Sequence, residues 1–167
     1  MKEDISYVDL TWKQIEFQCG DIFQKVQDDD FEPEVIVALL RGGVVPGRIL
    51  SDYFHILLDF FTLDVKFYTG VGKTLEQPSV GEFYWDINGK NALIVDDIWD
   101  SGKTMKAVLD KLGYKTNIRT ATLFWKETAP EKPNYYSEIA SKNEWIIFPF
   151  EKQEFKRLMK KNKKTNF

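Results

Sequence analysis

The chain has 167 residues, 43% of them hydrophobic and 15% aromatic. That is enough apolar material for one self-supporting core and too much for a disordered chain. A net charge of −3 argues against a general nucleic-acid binder, and a single cysteine, Cys19, excludes an internal disulfide or a cysteine-built metal site.

The opening MKEDISYVDL has acidic residues and no long apolar run. Neither a signal peptide nor a membrane anchor is expected, and the reading is a cytoplasmic protein of one domain, residues 1–167. Thr11 followed by Gln14 has capping-box spacing, and Ile15, Cys19, Ile22, Phe23 and Val26 continue at helical spacing. Cys19 on that apolar face reads as core rather than as a nucleophile. The acidic stretch 28–33, DDDFEP, reads as a solvated loop. Residues 35–40, VIVALL, are a continuous apolar run of strand length, as expected of a parallel strand covered on both faces. Arg41-Gly42-Gly43 ends the run, and Pro46 falls early in the next helix, where its missing N–H costs little.

Residues 54–69 read as strand, with Phe60, Leu63, Val65 and Phe67. His55, the only histidine, has no second histidine or cysteine to pair with and reads as structural. Residues 70–80, GVGKTLEQPSV, look like a mobile loop, and Asn88-Gly89 is a turn signal. A second buried strand is expected at 92–95, a helix at 105–112, a third strand at 118–125 and a fourth at 144–148. From 151 to 167 seven basic residues stand against two acidic ones. Such a tail is able to touch RNA or another acidic surface. The simpler reading is a basic terminal helix packed on the body through Phe155, Leu158 and Met159, with no part in the chemistry.

Strands alternating with helices imply an α/β fold with a mainly parallel twisted sheet flanked by helices. Ligands of such sheets bind beyond the carboxyl ends of the strands. Arg41-Gly42-Gly43, residues 96–104 and Lys126 all fall there. In Asp96-Asp97-Ile98-Trp99-Asp100-Ser101-Gly102-Lys103-Thr104 a buried strand delivers two adjacent carboxylates, and a short turn leads into a helix start. Backbone N–H groups at that start, with the Ser101 and Thr104 hydroxyls, make an anion site. Carboxylates beside a phosphate cradle make sense when they reach the vicinal hydroxyls of a ribose whose 5-phosphate fills the cradle. They also suit Mg²⁺. A Walker nucleotide loop is the decoy: both 102–104 and 72–74 read Gly-Lys-Thr, but the required glycine five positions earlier is Asp97 or Phe67.

This stretch resembles the ribose-phosphate signature of type I phosphoribosyltransferases. There an apolar strand precedes two acidic residues, two variable positions, Asp, Thr or Ser, Gly, a variable position and Thr. Leu40-Arg41-Gly42-Gly43 is similar to the family's pyrophosphate loop. Phe124-Trp125-Lys126 and Glu144-Trp145-Ile146 are placed as in the 6-oxopurine branch, the xanthine–guanine and hypoxanthine enzymes. The resemblance covers roughly residues 35–150.

The resemblance implies a fold with a small hood built from the terminal regions, and a homodimer or higher homo-oligomer. It implies transfer of the 5-phosphoribosyl group from 5-phosphoribosyl 1-diphosphate (PRPP) to N9 of hypoxanthine, guanine or xanthine, with Mg²⁺ as cofactor. Arg41, with Gly42, would bind the pyrophosphate, and the Leu40–Arg41 peptide can be cis. Asp96 and Asp97 would hold the ribose hydroxyls and the Mg²⁺ shell, with Asp97 as metal residue, direct or through water. Asp100, Ser101, Gly102, Lys103 and Thr104 would hold the 5-phosphate. Asp100 would also manage the N7 proton, Lys126 would donate to the 6-oxo group, Trp145 would stack on the base, and backbone near Ile146 would meet its 2-position edge.

Two departures stand out. The mobile loop of many 6-oxopurine enzymes has a Ser-Tyr pair, whereas here Tyr68-Thr69 precede GVGKT, with Lys73 as a candidate for the pyrophosphate. After Trp145 the chain runs IIFPF, so no residue that reads the purine 2-position is visible. Two rival functions remain: a PRPP-sensing regulator that does no chemistry, favoured only by the basic tail, and a transferase for another base such as orotate or adenine.

Overall fold

The computed structural model describes residues 5–54, 58–66, 69–70, 73–74, 78–113 and 117–164, with backbone only for 69–70, 73–74 and 161–164. Its centre is built from the two continuous apolar runs. β2 (Val35–Leu40) and β7 (Asn91–Trp99) lie side by side and parallel, with Val35 opposite Ala92 and Ala38 opposite Val95. Side chains alternate across a strand. Ile36, Leu93 and Val95 therefore join one core, while Val35, Val37, Leu39, Ala92 and Ile94 join the other. Both faces are covered, which is why neither run shows polar alternation.

One face takes α1 (Trp12–Asp28) and α2 (Val44–Tyr53). The Thr11–Gln14 capping box forms: the Gln14 N–H donates to Thr11 Oγ1, and the Thr11 N–H donates to Gln14 Oε1. Ile15, Cys19, Ile22 and Val26 are fully buried on the sheet. Burial pushes the Cys19 thiol up to about 12, as befits core rather than a nucleophile. The other face takes α3 (Lys103–Leu112) through Met105 and Val108. β3 (Asp59–Lys66) and β8 (Asn117–Lys126) flank the central pair, parallel to it. β6 (Ser79–Val80) adds antiparallel to β3, and β9 (Tyr135–Ala140) adds parallel to β8. The sheet order is β6-β3-β2-β7-β8-β9, so the mainly parallel sheet with helices on both faces is as expected.

A second layer caps the sheet's carboxyl edge. β1 (Ser6–Asp9) pairs parallel with β10 (Glu144–Ile147), Tyr7 opposite Trp145. α4 (Lys152–Lys164) packs on this ribbon: the Phe155 ring meets Tyr7 edge-on at 5.4 Å, and Lys152 pairs with Asp9 at 2.8 Å. The hood thus joins the two terminal regions.

Several boundaries differ from the sequence reading. Residues 54–69 are not one strand. α2 runs to Tyr53, where the Phe54 N–H closes the last turn on the Leu50 carbonyl, and β3 starts at Asp59. His55 lies outside the described residues. Within 70–80 there is regular structure: β4 (Thr69–Gly70) and β5 (Lys73–Thr74) pair antiparallel, followed by β6. β1 and β9 had no prediction. β1 is four residues long, and β9 is an edge strand of sequence YYSEIA whose burial fits neither strict alternation nor a continuous run.

Candidate active site at the carboxyl edge

The parallel strands deliver their last residues to one edge. β2 ends at Leu40, and the Leu40–Arg41 peptide is cis. The loop that follows rests on the end of β7. A side chain at Gly42 would run into the Asp97 carboxylate, and one at Gly43 would meet the backbone of Val95 and Leu39. Only glycine lets this loop lie so close to the acidic pair. The Arg41 side chain is mostly exposed, and its Nη2 donates to Glu154 Oε2 of α4 at 2.6 Å.

β7 continues past the core to carry the acids. Asp97 is only 8% exposed, and its N–H donates to Asp96 Oδ1 at 3.0 Å. Burial pushes the Asp96 carboxyl up to about 7, and the nearby Glu151 charge adds to this. Burial also raises Asp97 well above the usual carboxylate range, reinforced by the charges of Asp96 and Glu151. Both shifts have the same cause: ionised carboxylates are poorly solvated there and repel one another.

Asp100 sits exposed at the turn, and Lys126, at the end of β8, reaches across to it: Nζ to Oδ1 is 3.1 Å, with the lysine side chain 16% exposed. These residues are 26 positions apart in the chain and become neighbours because β7 and β8 pair in register to Trp99–Trp125. The turn closes at Gly102, whose φ of +75° suits a residue without Cβ. Gly102 offers α3 no side-chain cap, so backbone N–H groups of the first turn stand as an anion-binding end. A cavity of about 260 Å³ opens here, lined among others by Asp96, Asp97, Asp100, Ser101, Gly102 and Thr104. Lys103 is exposed at the start of α3 and is not part of the lining.

Trp99 was not singled out from the sequence. It fills a variable position of the motif, is 6% exposed, and its Nε1 has no hydrogen-bond partner among the described residues. Its ring lies under the turn, where a Gly102 Cβ would come within 2.7 Å of Nε1.

A second cavity, about 210 Å³, lies between hood and α4, lined by Trp145, Ile146, Ile147, Glu151, Glu154, Phe155 and Leu158. Trp145 is half exposed, whereas Ile146 is buried. Burial raises the Glu151 carboxyl, Glu154 adds to this, and Arg41 opposes it. The tail therefore does not stand apart from the site. Its first turn contacts Arg41 and walls the cavity at Trp145. The seven basic residues mask these two acids in any net-charge reading; the available signal was their position, within ten residues of Trp145. Of the expected loop residues, Tyr68 lies outside the described residues, and Thr69 and Lys73 are placed by backbone alone, in β4 and β5. Two larger cavities, near 540 and 660 Å³, lie away from this edge, around the end of α1 and the start of β2. Volume is no guide to the chemistry here.

Comparison with known proteins bears on this geometry. The family model described as phosphoribosyl transferase domain matches residues 10–154. The chain belongs to the phosphoribosyl transferase family. A xanthine-guanine phosphoribosyltransferase of a Ruegeria species is 32% identical to this transferase over 74% of the chain and 71% of the relative. Its counterpart in Gluconobacter oxydans is 28% identical over 89% of the chain and 87% of the relative. The crystal structure of a purine phosphoribosyltransferase from Pyrococcus horikoshii superposes with a TM-score of 0.73 at 33% identity, covering 86% of this transferase and 93% of that chain.

Proposed function

We propose that this transferase moves the 5-phosphoribosyl group of PRPP to N9 of a 6-oxopurine, releasing pyrophosphate, as a cytoplasmic purine-salvage enzyme that works as a homo-oligomer. The observation that carries the purine assignment is the Lys126–Asp100 contact at 3.1 Å. It sets a donor for O6 beside an acceptor for the N7 proton. A cationic Lys126 draws electron density from O6 and eases loss of that proton to Asp100. Lysine donates and does not accept, so the amino group of adenine meets it donor to donor.

The remaining roles follow from charge. Breaking the C1–O bond of PRPP leaves positive charge on the ribose and negative charge on the departing diphosphate. Arg41, mostly exposed on its glycine-anchored loop, turns its guanidinium fork from Glu154 to that diphosphate. Asp96 and Asp97 accept from the ribose hydroxyls and stand where positive charge grows. Asp100, Ser101, Gly102 and Thr104, with Lys103 nearby, surround the 5-phosphate at the start of α3. Trp145 stacks on the base, with the backbone at Ile146 along its edge. Thr69 and Lys73, with Tyr68, belong to the loop over the diphosphate.

The donor set fits Mg²⁺. Asp97 is buried with Asp96 beside it, and among the described residues no group of three or more acidic, His or Cys side chains forms a dedicated cage. That matches an ion held by one or two carboxylates, water and substrate oxygens. Asp97, directly or through water, and Asp96 would hold it, and when bound it neutralises charge on the diphosphate.

Turnover of PRPP with hypoxanthine, guanine, xanthine, adenine and orotate tests the proposal. At least one 6-oxopurine is expected to release pyrophosphate, and adenine to be a very poor substrate. A preference for adenine or orotate would refute it, as would PRPP binding without turnover of any base, the behaviour of a sensor.

A further inference from the structure

The cavity under the hood has two kinds of wall. Trp145, Ile146, Phe155 and Leu158 are apolar or aromatic, suited to the faces of a flat heterocycle. Glu151 and Glu154 are the polar side chains of the lining, and ionised carboxylates only accept hydrogen bonds. At about 210 Å³ the cavity is smaller than the sites of drug-sized ligands and has room for one edge of a base. Its chemistry asks for a ring whose edge donates.

Glu154 is held at 2.6 Å by Arg41, the residue assigned above to the diphosphate. That pair is exposed and therefore weak. A diphosphate has more charge than one carboxylate and takes the guanidinium fork in a bidentate grip, so PRPP draws Arg41 away. Glu154, half exposed, is then left at the edge of a partly apolar cavity without its cation and is open to a donor from the second substrate. Guanine presents N1–H and its 2-amino group side by side, a match for two carboxylate oxygens. Hypoxanthine presents N1–H alone. Xanthine presents a carbonyl oxygen at position 2, acceptor against acceptor. Glu151, one turn earlier and close enough to raise both Asp96 and Asp97, adds a second negative charge against any acceptor edge.

We propose that Glu154 reads the 2-position of the purine: freed from Arg41 by PRPP, it accepts from N1–H and the 2-amino group, so that guanine is preferred over hypoxanthine and xanthine is rejected. This rests on the purine-transferase reading above.

The test compares kcat/KM for guanine, hypoxanthine and xanthine at saturating PRPP in the full-length wild type and in Glu154→Gln, with PRPP affinity measured separately by calorimetry. Wild type should favour guanine over xanthine by roughly tenfold to a hundredfold, the scale of hydrogen bonds to a charged group that one base makes and the other cannot. Glu154→Gln keeps the shape and supplies an amide donor. It should shrink that ratio about tenfold or more, with xanthine gaining in absolute kcat/KM. Equal use of xanthine and guanine by wild type overturns the inference. So does a Glu154→Gln enzyme in which PRPP affinity changes but the base ratio does not, since Glu154 is then only a latch on Arg41. If no 6-oxopurine is turned over, the transferase reading itself fails, and the inference with it; an active enzyme with an unchanged ratio removes the inference alone.

Discussion

The phosphate turn and the hood cavity are built in opposite ways. The turn is nearly contiguous: Asp96 to Thr104 come from one strand, one tight turn and one helix start, fixed by a sheet buried on both faces. The hood cavity brings Trp145 of β10 together with the first turns of α4, on a ribbon completed by β1 from the other end of the chain. A ligand common to a whole family needs the same local geometry in every member, and a contiguous motif supplies it. On the reading proposed above, the edge of the base is met instead by long-range packing, on a helix that lies outside the sheet.

Removing the carboxylates should do most harm to the turn and none to the hood. Asp96→Asn with Asp97→Asn is expected to weaken PRPP binding about 100-fold or more, the loss of two or more charge-assisted hydrogen bonds, while the protein stays folded. Calorimetry with Mg·PRPP measures this, and unchanged affinity would end the ribose assignment. Lys126→Ala spans both regions, since it touches Asp100 of the turn and is assigned to the base. It should lower 6-oxopurine turnover by roughly tenfold to a hundredfold and narrow the gap to adenine; unchanged kinetics would remove Lys126 from the site.

Deletion of residues 152–167 divides the two regions most cleanly. It strips Glu154, Phe155 and Leu158 from the hood and leaves the turn untouched. KM for the base should rise about tenfold, the scale of a lost stacking and hydrogen-bonding wall, with PRPP affinity retained or improved as Arg41 loses Glu154. Turnover unaffected by the deletion would return the tail to the passive role read from its sequence.

The smallest effect is on stability. Asp96, Asp97 and Glu151 all have raised pKa values in the fold. Between the ordinary carboxylate range and about 7, where Asp96 titrates, the folded state retains protons that the unfolded chain has released. Stability of the ligand-free protein from these groups is therefore full below that range and lost as pH rises through neutrality. The melting temperature should be a few degrees higher at pH 5 than at pH 8, with each ~1 kcal/mol worth roughly 2–4 °C at this size. The double asparagine variant should flatten that slope.

Legibility followed burial. β2 and β7 were visible because strands covered on both faces must be apolar throughout, and α1 because its cap and its stripe agree. β9 lies at a sheet edge with two of its six side chains buried and two exposed, and YYSEIA has no period to read. The strand start expected at Phe54 failed for another reason: a run of apolar residues does not show in the sequence that α2 closes at Phe54 and β3 begins only at Asp59.

What the amino-acid sequence determined by itself was the chemistry of the turn. Two acids, a glycine that turns the chain through φ +75°, and a helix start are local in space because they are local in the chain. The two continuous apolar runs likewise dictated a parallel sheet and hence the edge at which ligands bind. Only the tertiary structure decided what faces Arg41 and Trp145. Strand register brings Lys126 to Asp100, and the packing of α4 on the β1–β10 ribbon brings Glu151 and Glu154 to the cavity. A pair of glutamates in a lysine-rich tail has no chemical meaning until folding sets a guanidinium on one side and an indole on the other.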